Sequence, residues 1–286
     1  MLSAFPSSDI GKVGVNCMIQ LRDNEFIKLV QFIKDNYGIN LESKRHLIEG
    51  RLGNLVTARG FETFDEYFNY IFKKGEKDEI ITLLNKLTTN HTFFMREEEH
   101  FKFFKNKILP DLREKTTDRD LRIWSAGCSS GEEPYMLAIL LQEFFENQAY
   151  LWDKKILATD ICKEVLEKAK KGIYLNEDVD NIDISLRNRY FKRVDADSYQ
   201  INDFIKNEVI YRVFNLMESF PFKRKFHVIF CRNVMIYFDQ ETKNRLIRKF
   251  YDMTEDGGYL FIGMSESIRR EDTDYTIVMP SVYRKE

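Results

Sequence analysis

The chain has little of what would mark a metal-binding, disulfide-built, secreted or membrane protein. Only four of its 286 residues are cysteine and four are histidine. Cys17, Cys128, Cys162 and Cys231 are scattered, with no C-x-x-C pair and no histidine cluster, which argues against a zinc site or a disulfide framework. No metal is expected, and a reducing cytoplasm is the simplest setting. The first residues lack a basic start followed by an apolar core. The longest apolar run, Tyr135 to Leu141, spans seven residues, against about 20 for a membrane-crossing helix. Neither secretion nor membrane insertion is expected. A formal net charge of −2 supplies no positive excess for nucleic acid. Internal repeats, low-complexity segments and the dinucleotide fingerprint G-x-G-x-x-G are missing too, and the last absence weighs against an NAD-type site.

What is present is a globular composition, 43% hydrophobic and 31% charged, in a chain long enough for a small and a large domain. Residues 1–20, with Pro6, Gly11 and Gly14, are expected to be a flexible tail. Residues 21–88 carry apolar side chains at helical spacing (Phe26, Leu29, Val30, Ile33; then Ile48, Leu52, Leu55), which predicts an N-terminal domain of about four helices. A further helix is expected over Glu97 to Leu109, ending before Pro110. In residues 89–286 strands alternate with helices from Leu121 onward, the pattern of an α/β domain with a mostly parallel, Rossmann-like sheet. Strands are predicted at Leu121–Ser125, Lys155–Thr159, Val209–Phe214, Phe226–Phe230 and Tyr259–Gly263. An antiparallel pair should follow at Tyr275–Met279 and Ser281–Arg284, and a small β-hairpin is expected to interrupt the domain at about residues 189–204.

The segment Arg122-Ile-Trp-Ser-Ala-Gly-Cys-Ser-Ser-Gly-Glu-Glu-Pro-Tyr135 joins the first strand to a helix through a glycine loop. Gly127 and Gly131 permit a sharp turn and close approach, Pro134 suits a first helical turn, and Glu132 and Glu133 suit a positive helix start. Two carboxylates where phosphates would dock favour a neutral or cationic ligand bearing hydroxyls, and S-adenosylmethionine is such a ligand. Asp160, at the end of the second strand, is placed to accept both ribose hydroxyls, although it could instead cap the following helix. Arg232 and Asn233 end the fourth strand, where Arg232 needs a ligand or a carboxylate such as Glu132 or Glu133 opposite it. Asn215-Leu216 follows the third strand and can offer polar groups to an adenine edge, although a loop asparagine is more often a turn former. Asp239 is read as a helix N-cap and left out of the site.

Together these segments resemble the chemotaxis receptor methyltransferases of the CheR type over nearly the whole chain. The resemblance is carried by Leu87-Thr-Thr-Asn90-His-Thr92-Phe-Phe-Met-Arg96-Glu97, the glycine loop, Ala158-Thr-Asp160, Phe230-Cys-Arg-Asn-Val-Met-Ile-Tyr-Phe-Asp239 and Gly263-Met-Ser-Glu-Ser267. It implies an S-adenosylmethionine-dependent protein-glutamate O-methyltransferase that esterifies glutamates on cytoplasmic chemoreceptor helices and releases S-adenosylhomocysteine. It further implies cofactor contacts from Asn90, Thr92, Arg96, Glu133, Asp160, Asn215, Leu216, Arg232 and Asn233, joined by Gly127 of the loop, with Tyr237 beside the transferred methyl. Arg96 and Tyr237 are the catalytic candidates, Arg96 to orient the incoming carboxylate and the cofactor and Tyr237 to fix the methyl donor. Lys44, Arg45, Arg51 and Arg59, on one predicted helix, are the candidates for contact with the receptor. A monomer is expected. Met95 departs from the phenylalanine usual in the family. The hairpin turn Val194 to Ser198 is short and lacks a glycine-rich insertion, which implies independence from a receptor C-terminal tether. The rival reading is a non-catalytic cofactor sensor on the same fold.

Overall fold

The computed structural model describes residues 19–74, 77–88 and 91–286. Most of the expected tail, Cys17 and Asn90 lie outside the described residues. Four helices come first: α1 (Asp23–Tyr37), α2 (Arg45–Ala58), α3 (Phe64–Lys74) and α4 (Lys77–Leu87). Leu29 and Ile33 of α1, four residues apart and so on one helical face, bury against Ile48 and Leu52 of α2, Phe64 and Phe68 of α3, and Leu83 of α4. Truncating a fully buried ring such as Phe68 to alanine would cost about 3–5 kcal/mol. Gly38 ends α1 in the left-handed conformation at φ 72°, its N–H on the Lys34 carbonyl. A Cβ there would come within 2.5 Å of the Met217 sulfur, so the turn is also a point of close approach to the α/β part.

Next come α5 (Glu98–Phe103), a π turn (Phe104–Ile108) and α6 (Leu109–Lys115). The helical run therefore does not stop before Pro110 as its sequence predicts. Proline within a regular helix leaves a carbonyl without its donor and clashes one turn back. Here the π turn, with the Leu109 N–H on the Phe104 carbonyl, resets the ladder so that Pro110 falls in the first turn of a new helix.

The remainder runs β1 (Ile123–Ala126), α7 (Glu132–Phe145), β2 (Ile156–Asp160), α8 (Lys163–Lys171), β3 (Ile173–Leu175), α9 (Asn176–Val179), α10 (Ile184–Tyr190), β4 (Phe191–Arg193), β5 (Ser198–Ile201), α11 (Asp203–Lys206), β6 (Val209–Val213), β7 (Phe226–Cys231), α12 (Gln240–Met253), β8 (Thr254–Ile262), β9 (Thr276–Met279) and β10 (Val282–Arg284). The main sheet has the order β6-β2-β1-β7-β8-β10-β9, parallel through β8 and antiparallel beyond it. Neighbouring residues of one strand face opposite layers, as the two-residue period of a strand requires. Ile123, Val228 and Phe230 pack into the layer of α7, whereas Trp124, Ile229 and Cys231 pack into the layer of α12. Both faces are thus covered, as a parallel sheet demands.

Two elements differ from their sequence expectation. The inserted hairpin of β4 and β5 gains a third antiparallel strand, β3, which is too short to show a period of its own. β8 begins at Thr254 rather than Tyr259, because Gly257 at φ 78° and a register shift let the chain rejoin β7 earlier. Among the described residues, no helix is long and apolar enough to cross a membrane.

Candidate functional site

From β1 the sheet grows outward through β2 and β6, then returns to the other side of β1 for β7 and β8. The strand order reverses between β1 and β7, and in such sheets a crevice opens at the carboxyl ends beside that point. A cavity of about 380 Å³ lies there, lined by the residues that follow β1, β2, β6 and β7. Its volume is in the range of small-molecule sites, about 300–1,000 Å³.

The first wall is the glycine loop. Gly127 sits at φ 82°, where a Cβ would come within 2.4 Å of Val234, so only glycine lets the loops after β1 and β7 meet. Ser129 donates its N–H to Asp160 Oδ2 and Cys162 donates its own to Oδ1, both at 2.9 Å, which binds this loop to the end of β2. Cys162, not Asp160, occupies the N-cap position of α8. Burial pushes the Asp160 carboxyl above its usual range, against the pull of these N–H groups. Glu132 and Glu133 part company at the start of α7. Glu132 turns inward to the Ser130 hydroxyl at 2.8 Å, and its burial raises its pKa. Glu133 lines the cavity, accepts from the Ser125 hydroxyl at 2.7 Å and faces Arg232 at 3.1 Å.

Arg232 is the electrostatic centre, its side chain 3% exposed. It pairs with Glu133 and with Glu97, each at 3.1 Å, donates to the Arg96 carbonyl and lies over the Phe101 ring. Glu97 also accepts the Met264 N–H at 3.0 Å, so it joins the segment before α5 to the ends of β7 and β8. Burial would raise the Glu97 carboxyl, but Arg232 and the Met264 N–H outweigh it and hold it below the ordinary range. Glu266, buried, gathers the N–H groups of Gly263 at 2.6 Å, Asn233 at 2.9 Å and Ile236 at 3.0 Å. Ser129 and Asn233, which line the cavity, and Met95 and Glu97, on either side of Arg96, have positive φ, a conformation uncommon for residues other than glycine and asparagine.

The helical unit supplies the remaining wall through Tyr37, Ile39 and Thr88. Ile39 bridges to Phe238, and the Asn40 N–H reaches the Tyr237 carbonyl at 2.8 Å. Lys34 meets Asp239 at 2.9 Å, and Asp239 also caps α12 through the Thr242 N–H. Lys34 first, then the Thr242 groups, hold the Asp239 carboxyl down at about 2.

Of the sequence candidates, Thr92, Arg96, Gly127, Glu133, Asp160, Asn215, Leu216, Arg232, Asn233 and Tyr237 all line this one cavity; Asn90 lies outside the described residues. Asn215 uses its amide locally, donating to the Asn36 carbonyl at 2.8 Å and accepting the Met217 N–H at 3.0 Å. Arg96 donates to the His91 carbonyl at 2.8 Å. The basic candidates lie apart from the cavity, on and beside α2. Arg59 is held bidentate by Glu79 at 2.9 Å, Arg45 pairs with Asp23 at 2.5 Å and Arg51 donates to the Lys86 carbonyl at 3.2 Å; Lys44, Arg51 and Arg59 are exposed. The ion-pair role of Glu97, the loop-gathering role of Glu266 and the cavity positions of Tyr37 and Ile39 escaped sequence reasoning. Glu97 and Glu266 both stood inside motifs that carry the resemblance, which was the available signal.

The donor set suits a ribose and a cation. Asp160 is held by backbone N–H groups rather than by a cation, so its oxygens keep lone pairs for hydroxyl donors. Residues 90–284 match the family model "CheR methyltransferase, SAM binding domain", and residues 24–88 match "CheR methyltransferase, all-alpha domain". The chain belongs to the CheR methyltransferase family. A chemotaxis protein methyltransferase of Borreliella burgdorferi is 44% identical over 276 residues, 94% of this chain and 97% of its own length. One of Escherichia coli is 34% identical over 270 residues, 93% of this chain and 92% of its own. As a CheR-family enzyme the protein is an S-adenosylmethionine-dependent methyltransferase, and the cavity at the switch point fits that cofactor.

Proposed function

We propose that this enzyme converts glutamate carboxylates on cytoplasmic chemoreceptor helices into methyl esters, acting as a cytoplasmic monomer. The observation that carries this reading is an arginine, Arg96, at the same cavity as Tyr237 and Asp160. An arginine fork is the side chain best shaped to receive a carboxylate. The names of the relatives, chemotaxis protein methyltransferases, support the substrate class.

When bound, S-adenosylmethionine supplies a methyl group on a sulfonium, and the glutamate oxygen forms its bond to that carbon as the carbon–sulfur bond breaks, leaving S-adenosylhomocysteine. A glutamate carboxylate, with an ordinary pKa of about 4.3, is already ionised at neutral pH, so no residue has to act as a strong base. The work of the chain is therefore positioning. Arg96 orients the incoming carboxylate, and Tyr237 fixes the position of the methyl donor. Asp160 accepts the ribose hydroxyls, while Asn215 and Leu216 form the adenine side. Thr92, Gly127, Glu133, Arg232 and Asn233 complete the cofactor wall, with Asn90 from the neighbouring segment. Because a carboxylate and a sulfonium neutralise each other in the reaction, the apolar lining of Phe214, Leu216, Val234 and Ile236 favours the transition state by excluding water.

We assign receptor contact to Lys44 and Arg51, since Arg45 and Arg59 are held in ion pairs within the helical unit whereas Arg51, among the described residues, makes one hydrogen bond to the Lys86 carbonyl and no carboxylate pair. The turn between β4 and β5 is short, and Arg193 binds its Asp195 and Ala196 carbonyls at 3.0 and 2.6 Å. This supports action without a tether peptide, and micromolar binding of an isolated receptor tail would contradict it.

The test of the function is transfer of labelled methyl to receptor-containing membranes, read as methanol released by base. Arg96→Ala and Tyr237→Phe should each lower turnover by about tenfold or more. Full turnover in both would refute the assignment of these roles, and tight cofactor binding with no transfer to any receptor would favour a non-catalytic sensor.

A further inference from the structure

The loop after β6 contributes four consecutive cavity residues, Phe214, Asn215, Leu216 and Met217. It contains no regular hydrogen-bonding ladder, so something else must keep its carbonyls in place. Its outer side is held by α12. Lys249 directs its ammonium onto three successive carbonyls, Leu216 at 3.2 Å, Met217 at 2.9 Å and Glu218 at 2.7 Å, and sits 5.2 Å from the centre of the Phe220 ring. One turn earlier on the same helix, Arg245 lies 4.0 Å from the Met217 sulfur. On the inner side, Asn215 ties the loop to the end of α1.

We propose that Lys249 is a positioning residue for cofactor binding: by drawing three carbonyls onto one ammonium it curls the loop so that Leu216 and Asn215 form the adenine wall. The residue touches neither cofactor nor substrate and acts only through the loop. An ammonium has three N–H donors, and three carbonyls use them all, so the loop has one curvature at which the clamp is complete. This inference rests on the proposed placing of the adenine at the loop after β6.

The molecule contains its own control. Lys285 holds the Tyr251 and Thr254 carbonyls at 3.1 and 3.0 Å and also lies over an aromatic ring, Tyr251, but neither residue lines the cavity. Lys249→Met and Lys285→Met remove the same kind of clamp from two places. The affinity of the whole protein for S-adenosylhomocysteine would be measured by calorimetry, and methyl transfer at saturating S-adenosylmethionine by the membrane assay. Lys249→Met should weaken binding by about tenfold, as loss of a charged hydrogen-bonding group does, with kcat kept within about twofold because the reacting groups lie elsewhere. Lys285→Met should lower Tm without changing affinity. Lys249→Gln, which keeps two donors, should fall between wild type and Lys249→Met, and it serves if the methionine variant does not fold. Unchanged affinity in both Lys249 variants, or equal losses in the Lys249 and Lys285 variants, would overturn the inference. Leu216→Ala separates the two readings. If it too leaves affinity unchanged, the adenine is not at this loop; if it weakens binding while Lys249→Met does not, only the clamp is wrong.

Discussion

The central strands end in an arginine cluster on each side, and the two clusters are built differently. At the amino edge, Arg122 meets Asp120 at 3.1 Å and Glu255 at 2.8 Å, with Arg224 joining Asp118 and Asp120. At the carboxyl edge, Arg232 meets Glu97 and Glu133. The Arg122 side chain is 16% exposed and water shares its solvation, whereas Arg232 is 3% exposed and depends on its partners. The backbone differs as well: Ser129 and Asn233, both at positive φ, line the carboxyl-edge cavity, with Met95 and Glu97, also at positive φ, on either side of its Arg96. Charge clusters alone do not distinguish a site from a buttress. The carboxyl edge is distinguished by the combination of deep burial, strained backbone and a cavity at the switch point.

Breaking the deeper cluster should have the largest effect. Arg232→Met leaves the half-buried Glu97 and Glu133 without the cation they share, which should cost about 3 kcal/mol in a denaturant melt, and S-adenosylhomocysteine binding should be lost with it. Arg122→Met should cost about 1–2 kcal/mol, because water can replace part of what it provides, and cofactor affinity should be unchanged. Equal effects on binding would erase the distinction between the two edges.

His100 sharpens the comparison by pH. It is buried beside the Arg232 cluster, its Nδ1 3.4 Å from Glu97, and burial first, then Arg232, hold its pKa down at about 4. The unfolded chain, with an ordinary histidine pKa of about 6.5, therefore binds the proton first as pH falls. The stability contributed by neutral His100 is complete above that value and is lost on the way down to about 4. His100→Phe should flatten the fall of Tm across this window, and an unchanged slope would show that other groups cause it. The smallest effect is expected for Lys34→Met, which removes a solvent-screened pair with Asp239 and should move Tm no further than an ordinary surface substitution.

Much of the framework was legible because it is local. β1, β2, β6 and β7 follow from short apolar runs, and the glycine loop, Asp160 and Arg232 stand where those runs end. The partner of Arg232 was legible only in part. Glu133 lies within the loop motif, but Glu97 is 135 residues away and no spacing rule joins them. The same holds for the Asn233 and Ile236 N–H groups on Glu266, the turn of α1 against Tyr237 and the Lys249 clamp, all made by segments brought together only in the folded chain. Pro110 misled for a different reason: proline signals a helix end reliably only while the preceding turn is regular, and here it is a π turn.

Whether the carboxyl edge is the cofactor site is tested most directly by one carboxylate from each edge of the sheet, Asp160 at the end of β2 and Asp120 just before β1. Calorimetry of S-adenosylhomocysteine binding would be run on the wild type, Asp160→Ala and Asp120→Ala. Binding weakened about a hundredfold or more in Asp160→Ala, which loses two charge-assisted hydrogen bonds, with wild-type affinity in Asp120→Ala, is the predicted result. Wild-type affinity in a folded Asp160→Ala protein would contradict the account.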